Sequence, residues 1–305
     1  MNKLEVQAEG EKNRVFFYPE KWDELTDKQL KKLLPILPSL YQAAANFKAL
    51  KDKPQALKMA DTHLQHLRIK AFWILLDIPL YKVYDRICIY SLFTDELIPL
   101  LDSIDFILQA PNRVKAPFPY LGGWGSSKIV GPDDGMKALT AEEYHFAMLL
   151  LNKISKANED LKPRLTEIEA LMRQLCFVLY RPKGKGAAHN PNSPYYKGDV
   201  RTPFNRFTLE TQTKKLQNIP FWKVQIVVWW FGQLNRRIQK QWPRVFSGKR
   251  EDQGNSAGWL PIFRMLAKDP LKTEEIGSLR LSALLYELNE SINEADRLKI
   301  KNAKR

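Results

Sequence analysis

The sequence has few cysteines and no long apolar run. Cys88 and Cys176 are the two cysteines among its 305 residues, and both lie in apolar stretches. Two buried free thiols in a reducing compartment are the simpler interpretation, and a disulfide is the alternative. The purely apolar runs in the predicted helices are no longer than residues 226–231, far short of the about 20 residues that span a membrane. The N-terminus has no apolar signal segment, so we expect a cytoplasmic protein without membrane contact.

The sequence also lacks the common catalytic and metal-binding motifs. Gly184-Lys185-Gly186 does not have the spacing of a phosphate-binding loop, and neither cysteine belongs to a CxxC pair. His63 and His66 lie three residues apart on a predicted helix, where two solvent-facing histidines are more common than a metal site. The acidic pairs 133–134 and 142–143 fit a turn and the first turn of a helix. We therefore expect no enzyme, no cofactor and no metal.

Positive charge is abundant but confined to one part of the chain. The formal net charge is +14. Residues 1–150, 151–170 and 251–305 each carry equal numbers of acids and bases, whereas residues 171–250 carry 16 bases and two acids, Asp199 and Glu210. This asymmetry indicates an anionic partner for the basic window, defined as residues 171–250, and says nothing about fold.

Aromatic residues alternate with the bases of this window. Such a mixture is typical of surfaces that bind nucleic acid, and it also suits docking to an acidic protein. A solvated basic face, with its aromatics in the core, is the third interpretation. We expect Asp199 to be a local ion-pair residue, with Arg201 as its partner, or a turn residue. The predicted partner-binding residues are Arg181, Lys183, Lys185, Tyr195, Tyr196, Lys197, Arg201, Arg206, Arg236, Arg237 and Lys240.

Hydrophobic periodicity predicts a mainly α protein. We expect an irregular multi-helix bundle with a short N-terminal β-hairpin or extended segment and two long loops, 110–138 and 181–207, which are rich in proline and glycine. Thr26 with Gln29, and Thr140 with Glu143, have the spacing of capping boxes. The expected parts are an N-terminal helical part, 1–110, and a C-terminal helical part, 139–305, which carries the basic loop; one continuous domain is the alternative.

Further helices are predicted at about 39–50, 54–76, 141–157, 163–180, 220–242, 259–268 and 279–296, with a polar linker at 247–258. Residues 80–93 fit a helix or a strand equally well. The front half of the 220–242 helix is apolar on all sides, so its tryptophans, Trp222, Trp229 and Trp230, are expected in the core rather than on a binding surface.

Several stretches together resemble a group of helical proteins encoded among the tail genes of tailed phages and prophages. The stretches are FYPEKWDELT (17–26), GPDDGMKALTAEEYHFA (131–147), LCFVLYRPKGKG (175–186), YYKGDVRTPFNRF (195–207), VVWWFGQLNRRIQKQWPRVF (227–246) and GWLPIFRMLAKDP (258–270). The resemblance touches most of the chain and implies a role in tail assembly, as a chaperone-like factor beside the tape-measure protein. It places the protein in the cytoplasm of the bacterial host, or in the virion.

Overall fold

The computed structural model describes most of the chain. The described residues are 1–6, 14–50, 53–78, 82, 94–109, 111–122, 128–159, 165–246, 262–263, 266 and 272–303. Cys88, the linker predicted at 247–258 and most of the helix predicted at 259–268 lie outside them, as does the ambiguous segment 80–93 apart from Lys82. The described residues form two compact units, Met1–Arg113 and Val114–Arg305.

The prediction of a mainly α fold is confirmed. The first unit begins with an antiparallel β-hairpin and continues as helices: β1 (Asn2–Val6), β2 (Arg14–Tyr18), α1 (Asp27–Leu33), α2 (Leu37–Ala49), α3 (Pro54–Leu76) and α4 (Thr94–Ser103). None of the helices in the described ranges is long and apolar enough to cross a membrane.

Local sequence signals account for the helix ends of the first unit. The side chain of Thr26 accepts a hydrogen bond from the backbone N–H of Gln29, and Gln29 Oε1 accepts one from the backbone N–H of Thr26, so the predicted capping box at α1 is confirmed. Pro35 and Pro38 do not separate the helices widely. A 3-10 turn over Leu34–Ile36 leads directly into α2, where Pro38 occupies the first turn and needs no N–H partner.

The second unit contains the remaining elements. They are β3 (Tyr120–Gly122), β4 (Ile129–Val130), α5 (Ala141–Glu159), α6 (Leu165–Leu179), β5 (Arg181–Pro182), α7 (Leu209–Thr213), α8 (Phe221–Gln241), α9 (Pro243–Phe246), α10 (Thr273–Ser278) and α11 (Leu281–Ala303). The three short strands form an antiparallel sheet in the order β3-β4-β5. Both predicted long loops therefore contribute strands, which the sequence pattern did not indicate.

The core of the second unit lies where α5, α6 and α8 pack together. Tyr144, Cys176 and Trp230 have no exposed surface. The Tyr144 hydroxyl donates a 2.6 Å hydrogen bond to Asn235 Oδ1 and so joins α5 to α8 inside this core. Burial also raises the pKa of the Cys176 thiol, which keeps it protonated. The core prediction is confirmed for Trp230, whereas Trp222 and Trp229 are only half-buried.

Candidate functional site

The loop predicted to bind a partner, residues 181–207, is tied to the sheet at both of its ends. Strand β5 pairs Arg181 with Val130 and Pro182 with Ile129. The returning end of the loop lies along the other side of β5, where Gly184 N donates to Val200 O at 2.8 Å and Thr202 N donates to Pro182 O at 2.9 Å. The loop therefore begins and ends in hydrogen-bonded backbone.

Arg181 points into the protein from the first position of this loop. Its side chain is 2% exposed. One Nη donates to Glu143 Oε1 at 2.6 Å, the other donates to the Val178 carbonyl at 2.5 Å, and Nε donates to the Thr202 carbonyl at 2.7 Å. The guanidinium thus joins the end of α6, the first turn of α5 and the returning end of the loop.

Arg201 lies beside it and is buried as completely. Its Nε and Nη2 donate to both carboxylate oxygens of Asp199 at 2.8–3.1 Å, and Nη1 donates to the Leu179 carbonyl at 2.6 Å. Its Nη2 also lies 3.4 Å from Glu143 Oε2. The predicted local pairing of Asp199 with Arg201 is confirmed.

Arg181, Arg201, Glu143 and Asp199 form what we call the buried charge cluster, with two positive and two negative charges. Burial alone would raise the pKa of Asp199, but the hydrogen bonds and charge of Arg201 outweigh it and lower that pKa. Burial lowers the pKa of Arg181, and Glu143 opposes this effect. For Arg201 the carboxylates of Glu143 and Asp199 outweigh burial and raise the pKa. The cluster balances its charge internally.

The prediction that Arg181 and Arg201 bind a partner is wrong. Each residue is only 1% exposed, because its guanidinium is enclosed by carboxylates and by backbone carbonyls at the end of α6. A buried arginine needs such partners to offset the loss of water. These two arginines hold the loop in place and cannot contact a molecule outside the protein.

Glu143 performs two local tasks. Its backbone N–H donates to Thr140 Oγ1 at 3.3 Å, and its Oε2 lies 3.5 Å from the Thr140 N–H, which confirms the predicted capping box of α5. The same carboxylate receives Arg181 and lies against Arg201. The capping pattern was visible in the sequence, but the arginine partners were not, since they lie 38 and 58 residues further along the chain.

The middle of the loop is exposed and basic. Lys183, Lys185 and Lys197 are exposed, and within the described ranges none of them forms an ion pair. Tyr195 is 75% exposed, whereas Tyr196 is half-buried. Burial, with the nearby charges of Asp199 and Asp133, raises the pKa of Tyr196. The structure thus presents the three lysines and Tyr195 to the exterior.

Short-range contacts give this exposed part a defined shape. Lys197 N donates to the Ala188 carbonyl at 2.9 Å, and His189 Nδ1 donates to the Asp199 carbonyl at 2.9 Å. Gly198 has a φ of +86°, and a Cβ at this position would lie 2.6 Å from Arg280 Nη2. Only glycine fits that turn without strain.

Arg206 and Phe207 close the loop. The Arg206 guanidinium is half-buried between Glu142, at 3.8 Å, and Glu274, at 3.6 Å, and it lies 4.7 Å from the centre of the Phe207 ring. Two carboxylates of the same unit therefore share its charge. Phe207 itself is 81% exposed, which is unusual for so large an apolar side chain.

The remaining predicted residues, Arg236, Arg237 and Lys240, lie on the last turns of α8. All three are exposed, and the described part of the chain gives none of them an ion pair. The neighbouring Asn235 binds Tyr144 in the first turn of α5, so this basic segment and the loop are both attached to that turn. The structure brings Arg181 and Arg201 into contact but does not join the α8 residues to them.

Lys128 and Tyr120 belong to the site and were missed by sequence reasoning. Lys183 N donates to the Lys128 carbonyl at 3.0 Å, so β4 lies directly beside the start of the loop. Lys128 Nζ lies 3.8 Å from the centre of the Tyr120 ring, which is 48% exposed. Lys128 falls in the neutral first half of the sequence, and only the register of β4 against β5 brings it to the basic loop.

Comparison with protein-family models, with curated proteins and with solved structures gave no match.

Proposed function

We propose that the protein acts by binding rather than by catalysis, and that the exposed middle of loop 181–207 docks an acidic protein. One observation carries the proposal. The loop is fixed at its base by the buried charge cluster and exposes Lys183, Lys185, Lys197 and Tyr195, while its one carboxylate, Asp199, is paired with Arg201. A preformed surface of one charge sign steers and orients a partner of the other sign.

The carboxylates at the site support binding over catalysis. Glu143 and Asp199 are both engaged by the two buried arginines, and Glu142 is shared with Arg206. A general acid or base must reach a substrate proton. These carboxylates instead neutralise side chains of their own chain.

The distribution of charge favours a protein partner over a nucleic acid. The loop has six bases, but Arg181 and Arg201 are buried and Arg206 lies between two glutamates. Three lysines remain. Nucleic-acid affinity grows with the number of phosphates that are neutralised, and arginine is the preferred contact for phosphate. An acidic patch on a protein needs fewer charges and can use Tyr195 and Phe207 as anchors.

The resemblance to tail-encoded helical proteins suggests a biological setting for this docking. We propose that the partner is another phage tail protein, with the tape-measure protein as the leading choice, and that the chain acts as an assembly or chaperone-like factor in the bacterial cytoplasm. The three motifs around residues 131–147, 175–186 and 195–207 contain the residues that build and support the docking loop. This agreement between motif and architecture supports the assignment.

Co-expression with the tape-measure protein of the same genome tests the proposal. We expect the tagged wild-type chain to retain that protein on an affinity resin, and the triple variant Lys183→Gln, Lys185→Gln, Lys197→Gln to retain roughly a tenth as much or less. The matched control removes three exposed charges from helices elsewhere in the unit, by Lys153→Gln, Lys156→Gln and Lys299→Gln. Equal retention by both triple variants would contradict the assignment of the loop.

Nucleic-acid binding is the second candidate. The observation that favours it is the group of exposed basic residues on the last turns of α8. Arg236, Arg237 and Lys240 could contact successive phosphates, with Tyr195 and Phe207 offering faces for base stacking. A filter-binding assay with a single-stranded oligonucleotide at several salt concentrations distinguishes the two functions. Tight binding that weakens steeply with salt and is abolished by substituting the α8 residues would favour this candidate.

A further inference from the structure

The sheet carries a row of cations on one of its faces. Residues directly opposite each other in antiparallel strands project to the same face. The register pairs Val130 with Arg181, the bond from Lys183 N to the Lys128 carbonyl continues that register by two residues, and an isolated bridge pairs Lys183 with Arg201. One face of the sheet therefore carries the side chains of four cations: Lys128, Arg181, Lys183 and Arg201.

These four cations differ in how their charge is balanced. Arg181 and Arg201 are neutralised by Glu143 and Asp199. Lys183, which is opposite Arg201, is exposed, and Lys128 is half-buried. In the described part of the chain, no carboxylate forms an ion pair with either lysine.

Two like charges placed directly opposite each other destabilise a sheet. The only described contact that offsets this for Lys128 is the ring of Tyr120, 3.8 Å from Nζ, and a cation–π contact at an exposed site is weak. Tyr120 belongs to β3, which flanks β4 on the side away from β5, so the ring holds the Lys128 ammonium on that side of its strand. The register thus places two lysines without a described carboxylate partner opposite each other on one face, where an external anion can approach both.

We infer that Lys128 and Lys183 form the anion-receiving point of the docking surface, and that the anion is a carboxylate of an acidic protein segment. This inference rests on the proposed function and adds a residue from outside the basic window. The lysine pair lies beside the base of the loop, so the partner contacts the sheet as well as the exposed turn that carries Lys185 and Lys197.

The geometry favours a carboxylate over a nucleic acid. One face of the Tyr120 ring is already covered by the Lys128 ammonium, so a base cannot stack on that face. Both cations are lysines, which bind as point charges and do not offer the paired donors that arginine gives to phosphate. A glutamate or aspartate side chain binds an ammonium group by charge and needs no aromatic face.

Binding of poly-L-glutamate to the full chain tests the inference. We expect the double variant Lys128→Gln, Lys183→Gln to bind this polymer about tenfold more weakly than the wild type in fluorescence anisotropy at low salt. The control double variant, Lys153→Gln with Lys156→Gln, has the same net charge and should bind within about twofold of the wild type. Thermal melting without polymer should show the Lys128/Lys183 variant to be at least as stable as the wild type, because a repulsion has been removed.

Three results would overturn the inference. The first is a failure of the polymer assay itself, in one of two forms. Either the wild type does not bind poly-L-glutamate, or the two double variants bind it equally, which would show a response to net charge alone. The second is a lowered melting temperature for the Lys128/Lys183 variant, since the lysines would then be structural. The third is an oligodeoxythymidine of equal charge that binds the wild type more tightly than poly-L-glutamate and loses its affinity in the same variant.

The failure of this inference and of the proposed function can be told apart. A Lys185→Gln, Lys197→Gln variant that loses the tape-measure protein, while the Lys128/Lys183 variant keeps it, would leave the docking loop in place and remove the lysine pair from it. Loss of capture by both variants, with the controls unaffected, supports a single surface formed by the sheet and the loop.

Discussion

Glu143 is the residue on which the loop depends most. It is 2% exposed, and its carboxylate lies within 3.4 Å of a nitrogen of each buried arginine. Removing one partner from a buried ion pair costs far more than the pair contributes, because an uncompensated charge stays inside. Here one carboxylate compensates parts of two such charges.

Replacing Glu143 with glutamine should therefore destabilise the second unit. Glu143→Gln keeps the size of the side chain and leaves two buried guanidiniums with Asp199 alone, so we expect the free energy of unfolding to fall by roughly 3–5 kcal/mol. Urea denaturation measures the change. Glu142→Gln is the control, because that neighbouring carboxyl is more exposed and burial already raises its pKa.

A Glu143→Gln variant as stable as the wild type would mean that the arginines find other partners. The same reasoning separates residues that look alike in sequence. Charge reversal at Lys183 or Lys185 should leave the fold intact, whereas Arg201→Glu would place a third carboxylate beside Asp199 and Glu143.

At this scale the sequence predicted the local partners and missed the distant ones. The capping box of Thr140 with Glu143 and the pair of Asp199 with Arg201 follow from short spacings, which fix geometry without knowledge of the fold. The burial of Arg181 could not be predicted, because it depends on a glutamate 38 residues earlier in the chain. A count of charges treats a buried arginine and an exposed lysine alike.

Among the elements, α8 shows what periodicity can establish. The predicted helix over 220–242 is observed over Phe221–Gln241. The apolar front half predicted a buried helix, and its buried residues include Val224, Val227 and Trp230. The pattern did not show which of two adjacent tryptophans is enclosed, since that depends on how α5 and α6 approach.

Alanine substitution of these tryptophans should give unequal losses. Trp230→Ala removes a side chain with no exposed surface, so we expect the free energy of unfolding to fall by roughly 3–5 kcal/mol. Trp229→Ala, at a half-buried position of the same helix, should cost clearly less. Thermal or urea denaturation of the two variants compares them directly, and an equal loss would show that Trp229 is also part of the core.

The strands of the second unit lay beyond sequence reasoning. β4 and β5 have two residues each, too few for an alternating pattern to be recognised. They exist because the ends of two loops meet and satisfy each other's backbone groups. Their consequence is nevertheless large, since they place Lys128 beside Lys183.

For the whole molecule, the net charge of +14 does not show which bases a partner meets. Two of the bases in the basic window are neutralised inside the second unit, and others pair with acids from neutral parts of the sequence, as Arg206 does with Glu142 and Arg244 with Asp296. The sequence located the excess correctly but could not divide it into buried and exposed parts. That division decides which partner is favoured.

Acidification should weaken the wild-type protein through Asp199. Its pKa is lowered in the folded state, so its stabilising effect is complete above the unfolded-state pKa, about 4, and is lost as the pH falls through the folded-state value. We expect Asp199→Asn to be less stable than the wild type at pH 7 and to lose less stability between pH 5 and pH 3. Melting temperatures across that range measure the slope.

Glu142 acts in the opposite direction, because burial raises its pKa and protonation relieves that penalty. The slope of melting temperature against pH is therefore compared between the wild type and the Asp199→Asn variant, since both contain Glu142. Asp61→Asn, in the first unit, serves as the control for the loss of one carboxylate. Parallel slopes for wild type and Asp199→Asn would exclude Asp199 as the source of acid sensitivity.

The turn at the tip of the loop is supported by residues other than those it displays. Arg181, Arg201, Glu143 and Asp199 constrain one another, so a change at any one of them demands a change at the rest. The side chains of Lys185, Tyr195 and Lys197 are not constrained in this way. Homologous chains could thus differ at the exposed positions of the loop and keep the same four supporting residues. For the same reason, substitutions at the exposed positions could give the protein a new ligand without changing the fold.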